Sequence, residues 1–141
     1  MLNQYFKAFI QSLNANQVRY LVVGGFAAIL HGYPRRPKNL DIWIEASPEN
    51  ACRIVEALAQ SGLASLGFTI TDFKTQDQII QVEFLPARRA IINTINEIEF
   101  GACFEKRAQK SVDGIPVDII ALEHLRIDKS NLWTVTGVGR T

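Results

Sequence analysis

The sequence predicts a mixed α/β domain, α+β in its ordering, with one central sheet flanked by helices. Three observations support this prediction: apolar residues at helical spacing over residues 2–15, a near-continuous apolar run at 19–23, and alternating apolar residues at 79–85 and 115–119. A length of 141 residues suffices for one domain with a proper core. We therefore expect a single domain over residues 1–141, with 130–141 as an irregular tail.

The composition predicts a cytoplasmic globular protein. The hydrophobic fraction is 48% and the charged fraction is 21%, which are ordinary values for a soluble domain. The net charge of +1 gives no global electrostatic reason to bind nucleic acid or an anionic membrane. The chain shows no signal-peptide pattern and no apolar run near the roughly 20 residues of a membrane span. Cys52 and Cys103 form no metal or redox motif, so we expect both to be reduced.

The first half of the chain predicts two helices around a pair of strands. Residues 2–15 are predicted to be an amphipathic helix, and 19–23 a strand that is covered on both faces. Gly24 and Gly25 follow as a turn, and 26–31 is predicted to be a short helix that ends at Gly32. Residues 40–46 are predicted to be the second strand. Its apolar residues on one face are Leu40, Ile42 and Ile44.

A third helix is predicted from Ser47 to about residue 61. Serine is a preferred N-cap, Pro48 suits the first turn, and Glu49 favours the positive end of the helix dipole. After it, 68–72 is predicted to be a short strand and 79–85 a longer one. Residues 93–100 are left as loop or strand, and 102–108 as a helical turn.

The last third of the chain predicts a hairpin and a final helix. Asp113 and Gly114 form a turn dipeptide between two short strands within 110–120. Residues 121–129 are then predicted to be a helix, and the tail beyond them lacks a helical period.

Chemistry is predicted where the second strand begins. Asn39 and Asp41 are separated by one residue, so their side chains project from the same face of a strand. That face lies close to the turn made by Gly24 and Gly25. A glycine turn beside two side-chain oxygens is suited to a nucleotide phosphate and its metal ion, so we predict a nucleotide site here.

The order of these features resembles the nucleotidyltransferase superfamily, which has the polymerase-beta-like fold. The shared pattern is a hydrophobic strand, Gly-Gly, thirteen residues, and then a polar–apolar–acidic–apolar strand start. In that family the glycine turn touches the triphosphate. Two carboxylates on the following strand and a third from a later strand hold two magnesium ions, which neutralise the charge that develops during transfer.

A subgroup of small bacterial stand-alone members, related to abortive-infection and toxin–antitoxin proteins, is more similar still. Its strand entry, Arg-x-Thr-Lys-Asp-Leu-Asp-Ile-Trp-Ile, resembles RRPKNLDIWI, with Asn39 in place of the first aspartate and Pro37 in place of threonine. Its Ile-Asp-Leu-Leu segment resembles VEFL, which makes Glu83 the third carboxylate. Its Gly-Val-Pro-Val segment leads into a helix that ends in Asn-Lys, and Lys129 holds the position of that lysine. The subgroup continues with a Gly-Arg-x-x-Asp segment and a helix that have no counterpart here.

The resemblance implies a set of site residues and partners. It places catalysis and metal binding at Asp41 and Glu83, with Asn39 in a catalytic position, and nucleotide binding at Gly24, Gly25, Arg35, Lys38 and Lys129. The implied cofactor is Mg²⁺, held weakly or as a single ion because Asn39 lacks the charge of an aspartate. The implied partners are a nucleoside triphosphate and an RNA or protein acceptor. The alternative is a catalytically impaired module that binds a cognate antitoxin or a second copy of itself.

Several simpler interpretations stay open. Asp41 could be the first carboxylate of the motif, with Trp43 and Glu45 in the following positions, although the gap from Gly25 would then be fifteen residues. A strand-to-helix turn often needs glycine for backbone reasons alone. Trp43 is predicted to be a core residue, and His31 and His124 are predicted to lie on the surface or to serve packing.

Overall fold

The computed structural model describes residues 2–34, 39–63, 66–84, 88–127 and 132–133. They form a mixed α/β structure with a six-stranded mixed sheet and helices. In chain order the elements are α1 (Gln4–Ala15), β1 (Tyr20–Val23), α2 (Gly24–Leu30), β2 (Asn39–Ile44), α3 (Pro48–Gln60), α4 (Ile70–Lys74), β3 (Ile79–Phe84), β4 (Arg88–Asn93), α5 (Glu97–Glu105), β5 (Ala108–Val112), β6 (Ile115–Ile119), a 3-10 helix (Leu122–His124), β7 (Arg126–Ile127) and β8 (Leu132–Trp133).

The large sheet has the strand order β3-β4-β2-β1-β6-β5. β1 lies antiparallel to β2 and parallel to β6. β2 lies parallel to β4, and β3 and β5 pair antiparallel with β4 and β6. A separate two-stranded sheet is made by β7 and β8. The consequence for the site is that β4 lies between β2 and β3.

The two faces of the large sheet have different surroundings. The helix face carries Leu40 and Ile42 of β2, both without solvent exposure, and α1 packs on it through rings such as Phe6, which meets Phe84 of β3 edge-on at 5.8 Å. The site face carries Asn39, Asp41 and Trp43. At one end of this face Phe100 of α5 meets the Trp43 ring at 5.1 Å, and towards Asn39 the face becomes more polar.

Most of the local predictions are confirmed. α1, β1, β2, α3 and β3 lie where they were expected to within a few residues, as does the β5–β6 hairpin. Ser47 caps α3 by accepting a hydrogen bond from the Asn50 backbone N–H, and Pro48 occupies the first turn as predicted. These elements depend on caps, turn residues and hydrophobic periodicity, which act over a few neighbouring residues.

Two predictions are wrong and one is correct in part. The strand expected at 68–72 is helix α4, where Asp72 Oδ2 accepts a hydrogen bond from the Thr69 N–H at 2.7 Å as in a capping box. For the segment 93–100, predicted as loop with possible strand, the prediction is correct at Asn93, which ends β4, and at 94–96, whereas 97–100 begin α5; most of β4 was not predicted. The final helix expected at 121–129 is a 3-10 turn followed by β7, within the part that is described. Within the described ranges, no helix is long and apolar enough to cross a bilayer.

Candidate functional site

The closest contact of the candidate site joins the turn after β1 to Asp41. The antiparallel register sets Val23 opposite Asp41, so Gly24 lies directly against this carboxylate. A Cβ atom at Gly24 would lie 2.6 Å from Asp41 Oδ2, and Gly24 has a φ of +68°, which side-chain-bearing residues rarely adopt. Glycine is therefore required here by packing and by backbone conformation, whatever ligand the site binds.

Asp41 lies in a partly buried position that disfavours its charge. Burial raises the pKa of its carboxyl from 3.8 to about 7. The ion pairs between two described residues are those of Arg19 with Glu45 and of Arg107 with Asp118, so none of these neutralises Asp41. A carboxyl with such a pKa takes up or releases a proton near neutral pH. A bound cation would stabilise its ionised form.

β4, which pairs with β2 on the side opposite β1, determines which other side chains lie beside Asp41. Asn39 is partly buried and lies one residue pair away on the same face of β2, about 7 Å along the strand. β4 is the neighbour, and its register sets Arg89 beside Asn39 and Ile91 beside Asp41. Ile91 is only 6% exposed, so the side chain of β4 that lies beside Asp41 is aliphatic and not a carboxylate.

Glu83 does not join this group. It lies on β3, opposite Arg89, and is exposed. Since β4 intervenes, the backbones at Glu83 and Asn39 are two strand spacings apart, about 10 Å. In the described part of the chain, no three His, Cys, Asp or Glu side chains are grouped to hold a metal ion. Asn39 and Asp41 together offer one neutral amide oxygen and one carboxylate. This set suits a single Mg²⁺ that keeps phosphate and water ligands, and not two metal ions.

The remaining predicted nucleotide-binding residues divide between described and undescribed segments. Gly25 follows Gly24 in the first turn of α2 and is partly exposed. Arg35, Lys38 and Lys129 lie outside the described residues. Arg89 was not singled out from the sequence. Its signal, a pair of arginines before an apolar run, could be recognised only once β4 was known to adjoin β2.

The alternative register of the acidic motif falls on residues with other contacts. Trp43 has no exposed surface and packs on Phe100, which confirms the prediction that it is a core residue. Glu45 pairs with Arg19 at 3.0 Å. The structure therefore supplies packing and ion-pair explanations for the second and third positions of that register. His31 Nε2 lies 2.7 Å from the Ile120 carbonyl oxygen, consistent with its predicted packing role.

Two polar residues fix the far end of β2 relative to its neighbours. Asn50, fully buried, accepts a hydrogen bond from the Arg19 N–H and donates to the carbonyl oxygens of Arg19 and Glu45. Glu97 accepts a hydrogen bond from the Ala46 N–H at 2.6 Å, and burial raises its pKa to about 7. These contacts hold the strand that carries Asn39 and Asp41.

No protein-family model, curated protein or solved structure matched the chain.

Proposed function

We propose that this chain is a nucleotidyltransferase-like domain that binds a nucleoside triphosphate with one Mg²⁺ beside Gly24 and Asp41, and that its nucleotidyl transfer is impaired. The observation that carries the proposal is the partly buried carboxyl of Asp41, packed against a glycine turn. A nucleotidyltransferase fold for the mixed sheet and a cytoplasmic location, where nucleoside triphosphates are abundant, are parts of the same proposal.

The position of Asp41 supports ligand binding because it is costly for the protein alone. Ionising a partly desolvated carboxyl reduces stability, and such groups concentrate where a ligand or reaction needs them. A bound Mg²⁺ would supply the positive charge that favours the ionised carboxylate and would bridge it to phosphate oxygens. Asn39 offers an amide oxygen on the same face, and Gly25, partly exposed in the first turn of α2, has no side chain that would keep a phosphate from the backbone. Arg35, Lys38 and Lys129 complete the proposed nucleotide contacts.

The same geometry supports impaired transfer. In nucleotidyl transfer an acceptor hydroxyl oxygen bonds to the α-phosphorus, the bond to the leaving pyrophosphate breaks, and the hydroxyl proton passes to a base. Transfer with two metal ions needs carboxylates that converge on both ions. Here Asn39 is neutral, Ile91 is aliphatic, and Glu83 lies beyond β4. Among the described residues of β2 and β4, Asp41 is then the one carboxylate available for metal binding and proton transfer.

Isothermal titration tests nucleotide binding directly. Each of the four nucleoside triphosphates would be titrated with and without Mg²⁺ into the wild type, Asp41→Asn and Glu49→Gln, the last being an exposed carboxylate on α3 and a matched control. We expect Mg²⁺-dependent binding that Asp41→Asn weakens about tenfold or more and Glu49→Gln leaves unchanged. Absence of binding to all four triphosphates would refute the proposal.

Restoring the acids tests the cause of the impairment. The double variant Asn39→Asp/Ile91→Asp places carboxylates beside Asp41 on both strands. Electron paramagnetic resonance, with a non-hydrolysable triphosphate present, counts the Mn²⁺ ions bound per chain. We expect this number to rise from one in the wild type to two in the double variant. Pyrophosphate release from the natural triphosphates should increase in parallel. A folded double variant that still binds one ion and releases no more pyrophosphate would contradict this explanation.

A second candidate function is a protein-interaction module, either for a cognate antitoxin or for a second copy of the chain. It is favoured by Ile98 on α5, which is 98% exposed, and by Ile79 at the outer strand β3, which is 47% exposed. A partner that covered these two side chains would remove their apolar surface from water. Sedimentation of the wild type against Ile98→Ser tests self-association: a monomer in both proteins would exclude the second copy as partner.

A further inference from the structure

β4 begins with two adjacent arginines that face opposite sides of the sheet. Arg89 lies in register with Asn39, so it shares the site face, whereas Arg88 lies opposite Phe84 and shares the helix face. Both side chains are exposed. The two residues therefore have the same charge, strand and exposure, and differ in the face from which they project.

We propose that Arg89 binds a phosphate group of the anionic ligand at the site face, and that Glu83 competes with this phosphate for the Arg89 guanidinium. This inference rests on the nucleotide binding proposed above. It adds a cationic side chain, Arg89, that binds the phosphate, and a carboxylate, Glu83, that competes with the phosphate. It assigns the site a ligand that carries phosphate, and it assigns Glu83 a role different from metal binding.

The charge distribution on the site face supports the role of Arg89. Among the described residues of β1 to β4, Arg89 is the one cation that projects from this face. Within the described part of the chain its guanidinium makes no hydrogen bond or ion pair. A nucleoside triphosphate carries more negative charge than one Mg²⁺ neutralises, so a second nearby cation would reduce its repulsion from the Asp41 carboxylate.

The reach and chemistry of arginine fit this task. Asn39 is the direct cross-strand neighbour of Arg89, and Asp41 is one residue pair further along β2. An arginine side chain on β4 is long enough to reach across this diagonal to a ligand that lies beside Asp41. The planar guanidinium donates paired hydrogen bonds to phosphate oxygens, which a lysine ammonium does not match.

Glu83 is positioned to compete with the ligand. It lies directly opposite Arg89 on the outer strand β3 and projects from the same face. Glu83 and Arg89, both within the described ranges, form no ion pair in the structure, but opposite charges at facing strand positions attract each other, weakly enough for a multiply charged ligand to outcompete the carboxylate. Removal of the Glu83 charge should therefore tighten ligand binding, which is the opposite of what a metal-binding carboxylate would do.

Isothermal titration of Arg89→Gln, Arg88→Gln, Arg89→Lys and Glu83→Gln tests the inference, with the four Mg²⁺–nucleoside triphosphates and sodium tripolyphosphate as separate probes. We expect Arg89→Gln to raise the Kd at least tenfold and Arg88→Gln less than twofold. Arg89→Lys, which keeps the charge and is the milder change for folding, should give an intermediate increase, and Glu83→Gln should lower the Kd two- to threefold. Thermal melts check that each variant is folded.

The outcomes separate this inference from the proposed function. If the wild type binds nucleotide but Arg89→Gln and Arg88→Gln have equal effects, the inference is overturned and the proposed function stands. If the wild type binds tripolyphosphate in an Arg89-dependent way but no nucleotide, the inference stands and the proposed function fails. If neither probe binds, both are overturned. A rise in Kd for Glu83→Gln overturns the competition and favours a metal-binding Glu83.

Discussion

Replacing Asp41 with asparagine should stabilise the protein above neutral pH and leave its stability unchanged in acid. Burial raises the pKa of this carboxyl from 3.8 to about 7, so the folded chain holds the proton more tightly than the unfolded chain. Between about pH 4 and pH 7 the folded state binds more protons, and the free energy of unfolding falls as the pH rises. Asparagine cannot ionise, so the free energy of unfolding of the variant does not undergo this fall as the pH rises.

The size of the effect follows from the pKa difference. A shift of about three pKa units corresponds to a ceiling of ~4 kcal/mol at pH 8, at about 1.4 kcal/mol per unit. The side chain keeps some contact with water, and the asparagine amide also needs hydrogen-bond partners, so the gain should be smaller. We expect Asp41→Asn to raise the free energy of unfolding by about 1–2 kcal/mol at pH 8 and by nearly zero at pH 4.

Urea unfolding at pH 4, 6 and 8, without Mg²⁺ or nucleotide, measures this difference. Glu83→Gln, an exposed carboxylate change on the same face, is the control and should alter stability by less than about 0.5 kcal/mol at each pH. Glu97 also has a raised pKa, but it is common to both proteins and cancels in the comparison. Equal stability of Asp41→Asn and wild type at pH 8, or a variant that is less stable there, would refute the reasoning.

Two further substitutions test the packing around β2. Gly24→Ala should cost about 2–4 kcal/mol in urea unfolding because its φ is +68° and its Cβ would meet Asp41 Oδ2 at 2.6 Å. Adding Asp41→Ala should recover part of that loss, and strictly additive effects would exclude the contact as a cause. Asn50→Ala should cost about 2–4 kcal/mol because it leaves backbone groups of Arg19 and Glu45 without partners. A loss below about 1 kcal/mol would show that water replaces those hydrogen bonds.

Part of the candidate site could be predicted from the sequence because it depends on short-range geometry. Asn39 and Asp41 share a face since side chains alternate along any strand. Gly24 follows a buried strand where a turn is needed, and the structure adds the reason that no Cβ fits beside Asp41. The missed helix α4 was also a local feature, since Thr69 and Asp72 have the spacing of a capping box.

The sequence by itself determined the local elements, their caps and turns, and the shared face of Asn39 and Asp41. Only the tertiary structure decided which strands adjoin, because strand pairing depends on contacts between residues far apart in the chain. β4 shows four successive buried residues after two arginines, without the alternation that marks a half-exposed strand. Its insertion between β2 and β3 separates Glu83 from Asp41 and places Ile91 and Arg89 beside the site.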